Sequence, residues 1–305
     1  MEKKLRQVYR DALDKIQSDL IKIYASYSVD GSLTLAEMTK YNRLIAMESE
    51  ILGVLKAANG KAITAINRLP AAVYEESFYR AGWSIDQAAG VALKWGLLPE
   101  DAIKESVQND LWYLAEKGMR QNSLSLVSKT ITQGLIQGQS FPKMARALAA
   151  SVERTYSDAL RIVRTEGLRA YSLGTMAALN RADDLGVEVK RVWIATLDDR
   201  TRDSHAALDG KEADPEKGWY IPGTGWVAGP RLSGNPAEDI NCRCDIGGEI
   251  AGLEPKLRRT KEDGVVPYTT YSDWKSNMEE NGGKYVPERA IAVREEQENF
   301  ERNTR

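Results

Sequence analysis

The chain holds one histidine, His205, and two cysteines, Cys242 and Cys244, in 305 residues. Two cysteines spaced C-x-C give no disulfide framework. Long apolar runs are missing too: the longest, AAGVALKWGLLP at 88–99, is too short to span a bilayer and is interrupted by Lys94. No membrane association is expected. The N-terminal MEKKLRQVYRDALDKIQSDL is charged throughout and lacks the apolar stretch of a signal peptide, so the expected compartment is the reducing cytoplasm. Nor is there an excess of one charge, with 42 Lys and Arg against 44 Asp and Glu, net −2. The protein as a whole presents no basic field to nucleic acid, and any DNA contact must be local. The sequence has no P-loop, no Gly-x-Gly-x-x-Gly fingerprint, no internal repeat and no low-complexity tract. What it does have is 42% hydrophobic residues, enough to bury real cores.

Helical periodicity dominates up to residue 186. Leu5, Val8, Tyr9, Ala12, Ile16, Leu20, Ile23 and Tyr27 recur at steps of three and four, which predicts an amphipathic helix ended by Asp30-Gly31. Thr34 with Glu37 makes a capping box for a second, long helix over 35–69. Ser84, Pro99, Ser140 with Pro142, and Ser157 read as further helix starts, and Gly186 as a stop. From Val187 the pattern changes: VEVKRVWIATL is β-branched and aromatic, predicting a strand at 188–197. A short helix capped by Asp199 should follow, with His205 and Asp209 on one face and Gly210 at its end. The turn-rich stretch 211–238 carries Trp219, Tyr220 and Trp226, expected to pack it down, before INCRCDIGGEI returns as a strand. The expected fold is mainly α: an N-terminal helical bundle with long helices (1–186), a small α+β domain (187–252) and a charged C-terminal tail (253–305) read as an extended arm or exposed helix.

The three soft ligands admit several chemistries. Alternate residues of a strand share a face, so Cys242 and Cys244 point one way and Arg243 the other. With His205 they could hold a tetrahedral zinc, the fourth ligand being Asp209, Asp203 or water. They could equally be two small buried hydrophobes and a hydrogen-bonded histidine tying helix to strand. A Cys–His nucleophile needs an activated thiolate that the sequence does not reveal. Asp198, Asp199, Asp203, His205 and Asp209 could form a magnesium-dependent nuclease cluster, against which Arg200 and Arg202 would neutralise the charge.

RIVRTEGLRAYSLGTMAAL at 161–179, WIATLDDRTRDSHAALDG at 193–210 and NPAEDINCRCDI at 235–246 resemble, in order and spacing, the successive signatures of the phage head morphogenesis family, the Mu F-like minor capsid proteins. The resemblance covers roughly 160–250. It matches Arg164, Thr165 and Glu166 to the first block, Asp199, Arg202, His205 and Gly210 to the second, and Asn241, Cys242, Arg243 and Cys244 to the third. It implies a virion protein present in few copies inside the head near the portal vertex, acting in head assembly, DNA packaging and ejection without catalysis. The implied partners are the portal protein and the capsid or procapsid interior; separately, the long amphipathic helices at 1–28 and 35–69 lead us to expect the portal-docking surface in the helical domain 1–186. No cofactor is required, although a structural zinc at His205, Cys242 and Cys244 is compatible. Some members carry a toxin-like enzyme after the third block; here only a short charged tail follows. The alternative function is a metal-dependent nuclease or toxin-like enzyme. In the structural reading His205, the thiols and an Asp199–Arg202–Arg243 polar set form a knot. Arg146, Arg154, Arg161, Arg164 and Arg169 give 140–173 a local positive excess, expected to make weak, salt-sensitive, non-specific contact with double-stranded DNA, unless Glu153, Asp158 and Glu166 neutralise it.

Overall fold

The computed structural model describes residues 1–108, 110–250, 257–260, 265–281 and 286, so most of the expected tail 253–305 lies outside the described residues. The helices are α1 Glu2–Tyr27, α2 Leu35–Thr39, α3 Arg43–Asn67, α4 Leu69–Ala89, α5 Glu100–Val107, α6 Asp110–Ile136, α7 Phe141–Asp184, α8 Asp203–Ala206, α9 Pro236–Asp239 and α10 Tyr271–Glu280. The strands are β1 Val189–Ile194, β2 Trp219–Ile221, β3 Gly225–Val227, β4 Asp245–Ile250, β5 Leu257–Arg259 and β6 Val265–Pro267. The fold is mainly α. No helix among the described residues is long and apolar enough to cross a membrane. Contacts group the chain into two compact units, Met1–Ala72 with Lys104–Gly167, and Val73–Ile103 with Leu168–Arg305. The sequence boundary near residue 186 falls inside the second.

In the first unit the stripe on α1 buries Leu5, Tyr9, Ala12, Ile16, Leu20 and Ile23. These join Met47, Ile51, Leu55 and Ile66 of α3, Val127, Ile131 and Leu135 of α6, and Met144, Leu148 and Val152 of α7 in one core. Each fully buried Leu or Ile contributes about 1.5–3 kcal/mol, so the helices stand through this shared interior rather than by propensity. One polar chain crosses it. The Tyr9 hydroxyl donates to Asn59 Oδ1 at 2.9 Å, and Asn59 Nδ2 donates to Ser123 Oγ at 2.8 Å. Thr34 does cap, accepting the Glu37 amide at 3.3 Å. The helix it starts, however, ends at Thr39: a 3-10 turn follows and Asn42 adopts φ +57°, so α3 begins anew at Arg43. Asparagine tolerates that left-handed conformation where most residues do not. Ser157 likewise starts nothing, because α7 runs straight through it.

In the second unit Ser84 lies inside α4, its hydroxyl bonded back to the Arg80 carbonyl at 3.0 Å rather than capping. Helices α4 and α7 approach at Gly174, where a Cβ would sit 2.0 Å from Ser77 Oγ and 2.3 Å from the Tyr74 carbonyl oxygen. Only glycine fits there. Gly186, at φ +87°, ends α7, with the Val187 amide returning to the Ala182 carbonyl. Strand β1 then pairs antiparallel with β4, from Val189↔Ile250 to Ile194↔Asp245. Hairpin β2–β3 alternates: Trp219, Ile221 and Val227 face inward, while Tyr220 and Trp226 pair across the strands on the outer face and are half exposed. The expected inward packing thus holds for Trp219 alone. Part of the tail also differs from an exposed arm, since α10 buries Tyr271 and Trp274 in the core around Trp193.

Candidate functional site: a buried histidine–cysteine knot

Strand β1 positions the site from the middle. On one side the chain after α8 turns at Gly210, φ +73°, and runs back along β1, with the Gly210 amide bonded to Trp193 O at 2.8 Å and the Trp193 amide to Lys211 O at 3.0 Å. On the other side β4 pairs with β1, and residues 242–244 lead into it in an extended run whose burial alternates. His205 on α8 therefore faces the two thiols across the end of β1. The Sγ atoms of Cys242 and Cys244 each lie 3.5 Å from His205 Nδ1. All three side chains are buried, at 2%, 3% and 2% exposure for Cys242, Cys244 and His205. Trp193 packs edge-on to the imidazole, ring centroids 5.2 Å apart. Glu238 Oε2 lies 2.8 Å from the other ring nitrogen, Nε2, outside hydrogen-bond alignment.

The thiols divide their proton unevenly. A hydrogen bond from Cys244, backed by His205, draws the Cys242 thiol below its ordinary range against the opposing effect of burial. The same hydrogen bond, together with burial, pushes Cys244 up. Both cysteines are buried, whereas reactive cysteines characteristically sit in partly exposed surroundings. Among the described residues His205, Cys242 and Cys244 form the one group of such side chains able to hold a metal ion, so the aspartates of 198–209 do not assemble a magnesium cluster.

Those aspartates do other work. Asp198 takes both guanidinium nitrogens of Arg243, Nη2 at 2.7 Å, and the Arg200 amide at 3.0 Å. Asp209 is held by Arg258, with Nη2 to Oδ1 at 2.7 Å and Nη1 to Oδ2 at 2.8 Å, and by the Ala195 amide at 2.7 Å. It is thus not available as a fourth metal ligand. Asp199 and Asp203 are exposed, and the N-cap of α8 is Arg202, without a side-chain cap bond. The expected Asp199–Arg202–Arg243 set does not form: Arg243 pairs with Asp198, and Arg202 instead donates to the Ile240 carbonyl at 2.6 Å. Asn241 takes φ +59° in the turn before Cys242, as asparagine can. Arg164, Thr165 and Glu166 belong to the first unit, where Arg164 Nε bonds Glu2 at 2.7 Å and Glu166 is buried. Of the arginines read as DNA contacts, Arg146 and Arg154 are exposed, Arg161 pairs with Asp158 and Arg169 is half-buried.

Sequence reasoning missed one residue at the heart of the site. Arg231, 2% exposed, sends Nε to the Leu168 carbonyl at 2.9 Å, Nη2 to Ser172 Oγ at 2.6 Å, and Nη1 to the carbonyls of Cys242 and Cys244. It stands in a Gly-Pro-rich loop with no periodicity to single it out.

The Asp198–Arg243 pair gives an acid-side prediction. The Arg243 guanidinium, opposed by burial and helped by the Arg200 amide, lowers the Asp198 carboxyl from 3.8 to about 2. A depressed acid stabilises the fold above its unfolded value and loses that contribution as pH falls through its folded value. Arg243→Met should therefore cost about 1–2 kcal/mol near neutrality, after allowance for solvent screening of the half-exposed arginine. The difference from the parent chain should vanish between pH 4 and about 2 in acid-denaturation curves, a window bounded by the two carboxyl values.

Residues 125–247 match the family described as Phage Mu protein F like protein. The chain is 28% identical over 281 residues to Minor head protein GP7 of Bacillus phage SPP1, spanning 90% of this chain and 91% of that one. It is 30% identical over 296 residues to an Enterococcus faecalis protein named NAD(+)–arginine ADP-ribosyltransferase EFV, covering 94% of this chain but 59% of that relative's length. A Haemophilus influenzae protein matches 42% of the chain at 27% identity. No solved structure matches. The family match takes in His205, Cys242 and Cys244 and ends three residues into β4, so the segment that carries the knot is the one similar to the Phage Mu F-like family.

Proposed function

We propose that this phage head morphogenesis protein is a minor component of the virion, seated inside the head at the portal vertex, where it acts in head assembly and in the packaging and ejection of DNA without catalysing a reaction. The carrying observation is the even coverage of the SPP1 minor head protein, 90% of one chain against 91% of the other. The knot supports it: its groups are buried and gathered against one another in the interior. An assembly protein works through surfaces, and the interior then serves to hold those surfaces in place. Arg146 and Arg154, both exposed, are the side chains best placed for weak phosphate contact, whose affinity should fall steeply with salt.

The second reading, an NAD-dependent ADP-ribosyltransferase, is favoured by the enterococcal relative's name and 30% identity. Both are tested with the intact chain, because α1 and α3 share a core with α6 and α7 and their removal would strip that core. Coexpressed with the portal protein of its own phage, the chain should elute with assembled portal rings and be recovered in heads. If it stays free while rings form, and labelled NAD transfers ADP-ribose to arginine-containing acceptors in its presence, the enzyme reading replaces ours.

A further inference from the structure

We propose that His205 Nδ1, Cys242 Sγ and Cys244 Sγ ligate one structural zinc ion. The inference goes beyond the portal reading and does not depend on it.

The distances are the first argument. Tetrahedral zinc holds sulfur at about 2.3 Å and imidazole nitrogen at about 2.0–2.1 Å, which places the two atoms about 3.5 Å apart. Both sulfurs stand at 3.5 Å from Nδ1, and the three ligand atoms lie within 4.8 Å of one another. Hydrogen bonding accounts for this symmetry less well. A ring nitrogen has either one proton or one lone pair, so it can bond only one of two equidistant sulfurs, and the other must turn to its fellow cysteine. A cation between them serves all three atoms at once.

The surroundings are those of a ligand set. Glu238 Oε2 stands 2.8 Å from Nε2, outside hydrogen-bond alignment here but within reach to serve as the carboxylate that backs a metal-bound imidazole once an ion holds the ring. The Trp193 indole N–H is fully buried without a hydrogen-bond partner. Charge also closes: a divalent ion, two thiolates and a neutral imidazole sum to zero, so the site can stay buried without a distant counter-ion. Thiolate and imidazole ligands select zinc over magnesium or calcium. Three protein ligands leave one position for water. Because the ligands are 2–3% exposed, that position is closed to substrate and the role is structural, fastening α8 to the run entering β4.

The full chain, purified without chelators under reducing conditions, should carry about one zinc per molecule by mass spectrometry, and Cys242→Ser should remove it. Glu238→Gln, which leaves every ligand in place, should weaken zinc binding about 10–100-fold. Should the cysteine variant fail to fold, the parent chain still decides. Cobalt(II) added to the stripped protein should give thiolate-to-metal charge-transfer and intense tetrahedral bands, and zinc should slow alkylation of both cysteines. Metal-free protein from zinc-supplemented cells, with no cobalt spectrum and no protection of the thiols, would overturn the proposal. So would zinc that persists at the same stoichiometry in the Cys242→Ser, Cys244→Ser double variant.

Discussion

Arg231→Met should loosen the second unit by about 3–5 kcal/mol, the expected scale for emptying a buried charged hydrogen-bond hub. Methionine fills much of the space but offers no donor. The carbonyls of Leu168, Cys242 and Cys244 and the Ser172 hydroxyl all lose theirs inside the protein, and each unpaired buried group carries its own desolvation cost. The effect should be spatially confined. Hydrogen exchange should speed up at the β1 and β4 amides and stay unchanged in α1 and α3, which belong to the other unit. Arg231→Lys should recover only part of the loss, because a single ammonium cannot reproduce the planar fork that reaches three carbonyls and a hydroxyl. Unchanged exchange in β1 and β4 would mean that the loop at 231 is a passive covering.

The second large effect is expected at Asp209. Its carboxylate gathers the Arg258 guanidinium, the Ala195 amide and the Tyr271 amide, and its side chain is 2% exposed against 6% for that of Arg258. Asp209→Ala strands a buried positive charge and should cost about 3–5 kcal/mol. Arg258 also donates to the carbonyls of Ala195 and Thr269, so the loss should free the β5–β6 hairpin and α10 together. Limited proteolysis beyond residue 250 reads this directly. The double variant Asp209→Leu, Arg258→Met should regain most of the stability, since an apolar pair of similar volume replaces a buried ion pair at little net cost. A double variant as unstable as the single would show that the backbone amides, rather than the ion pair, carry the effect.

The long-range apolar stripes were legible in the sequence, and so were the strand after Gly186 and the meeting of His205 with the two cysteines' neighbourhood, because periodicity and soft ligands announce themselves locally. Partner choice was not. Asp198 and Asp199 are adjacent and chemically alike, and the direction in which β1 ends decides which of them meets Arg243. Arg231 and Arg258 had no pattern at all: an arginine in a turn or a charged tail looks solvated until the fold closes over it. The break at Asn42 was hidden for a similar reason, since a capping box at Thr34 says where a helix starts and nothing about how soon it stops. The nuclease-like aspartate cluster failed on the same point, Asp198 and Asp209 being drawn off to separate arginines while Asp199 and Asp203 stay exposed.

The Tyr9–Asn59–Ser123 chain of hydrogen bonds has a consequence for how the first unit is encoded. Its apolar surfaces are generic enough to mesh in more than one axial offset, and leucine packs against isoleucine in many of them. An amide in their midst is less forgiving. Sliding one helix past another by a single turn would leave Asn59 facing methyl groups, with its oxygen and nitrogen both bare. The asparagine therefore works as a key cut for one lock: it gives up some cohesion relative to an apolar side chain and, in return, makes every neighbouring alignment of the helices too costly to populate.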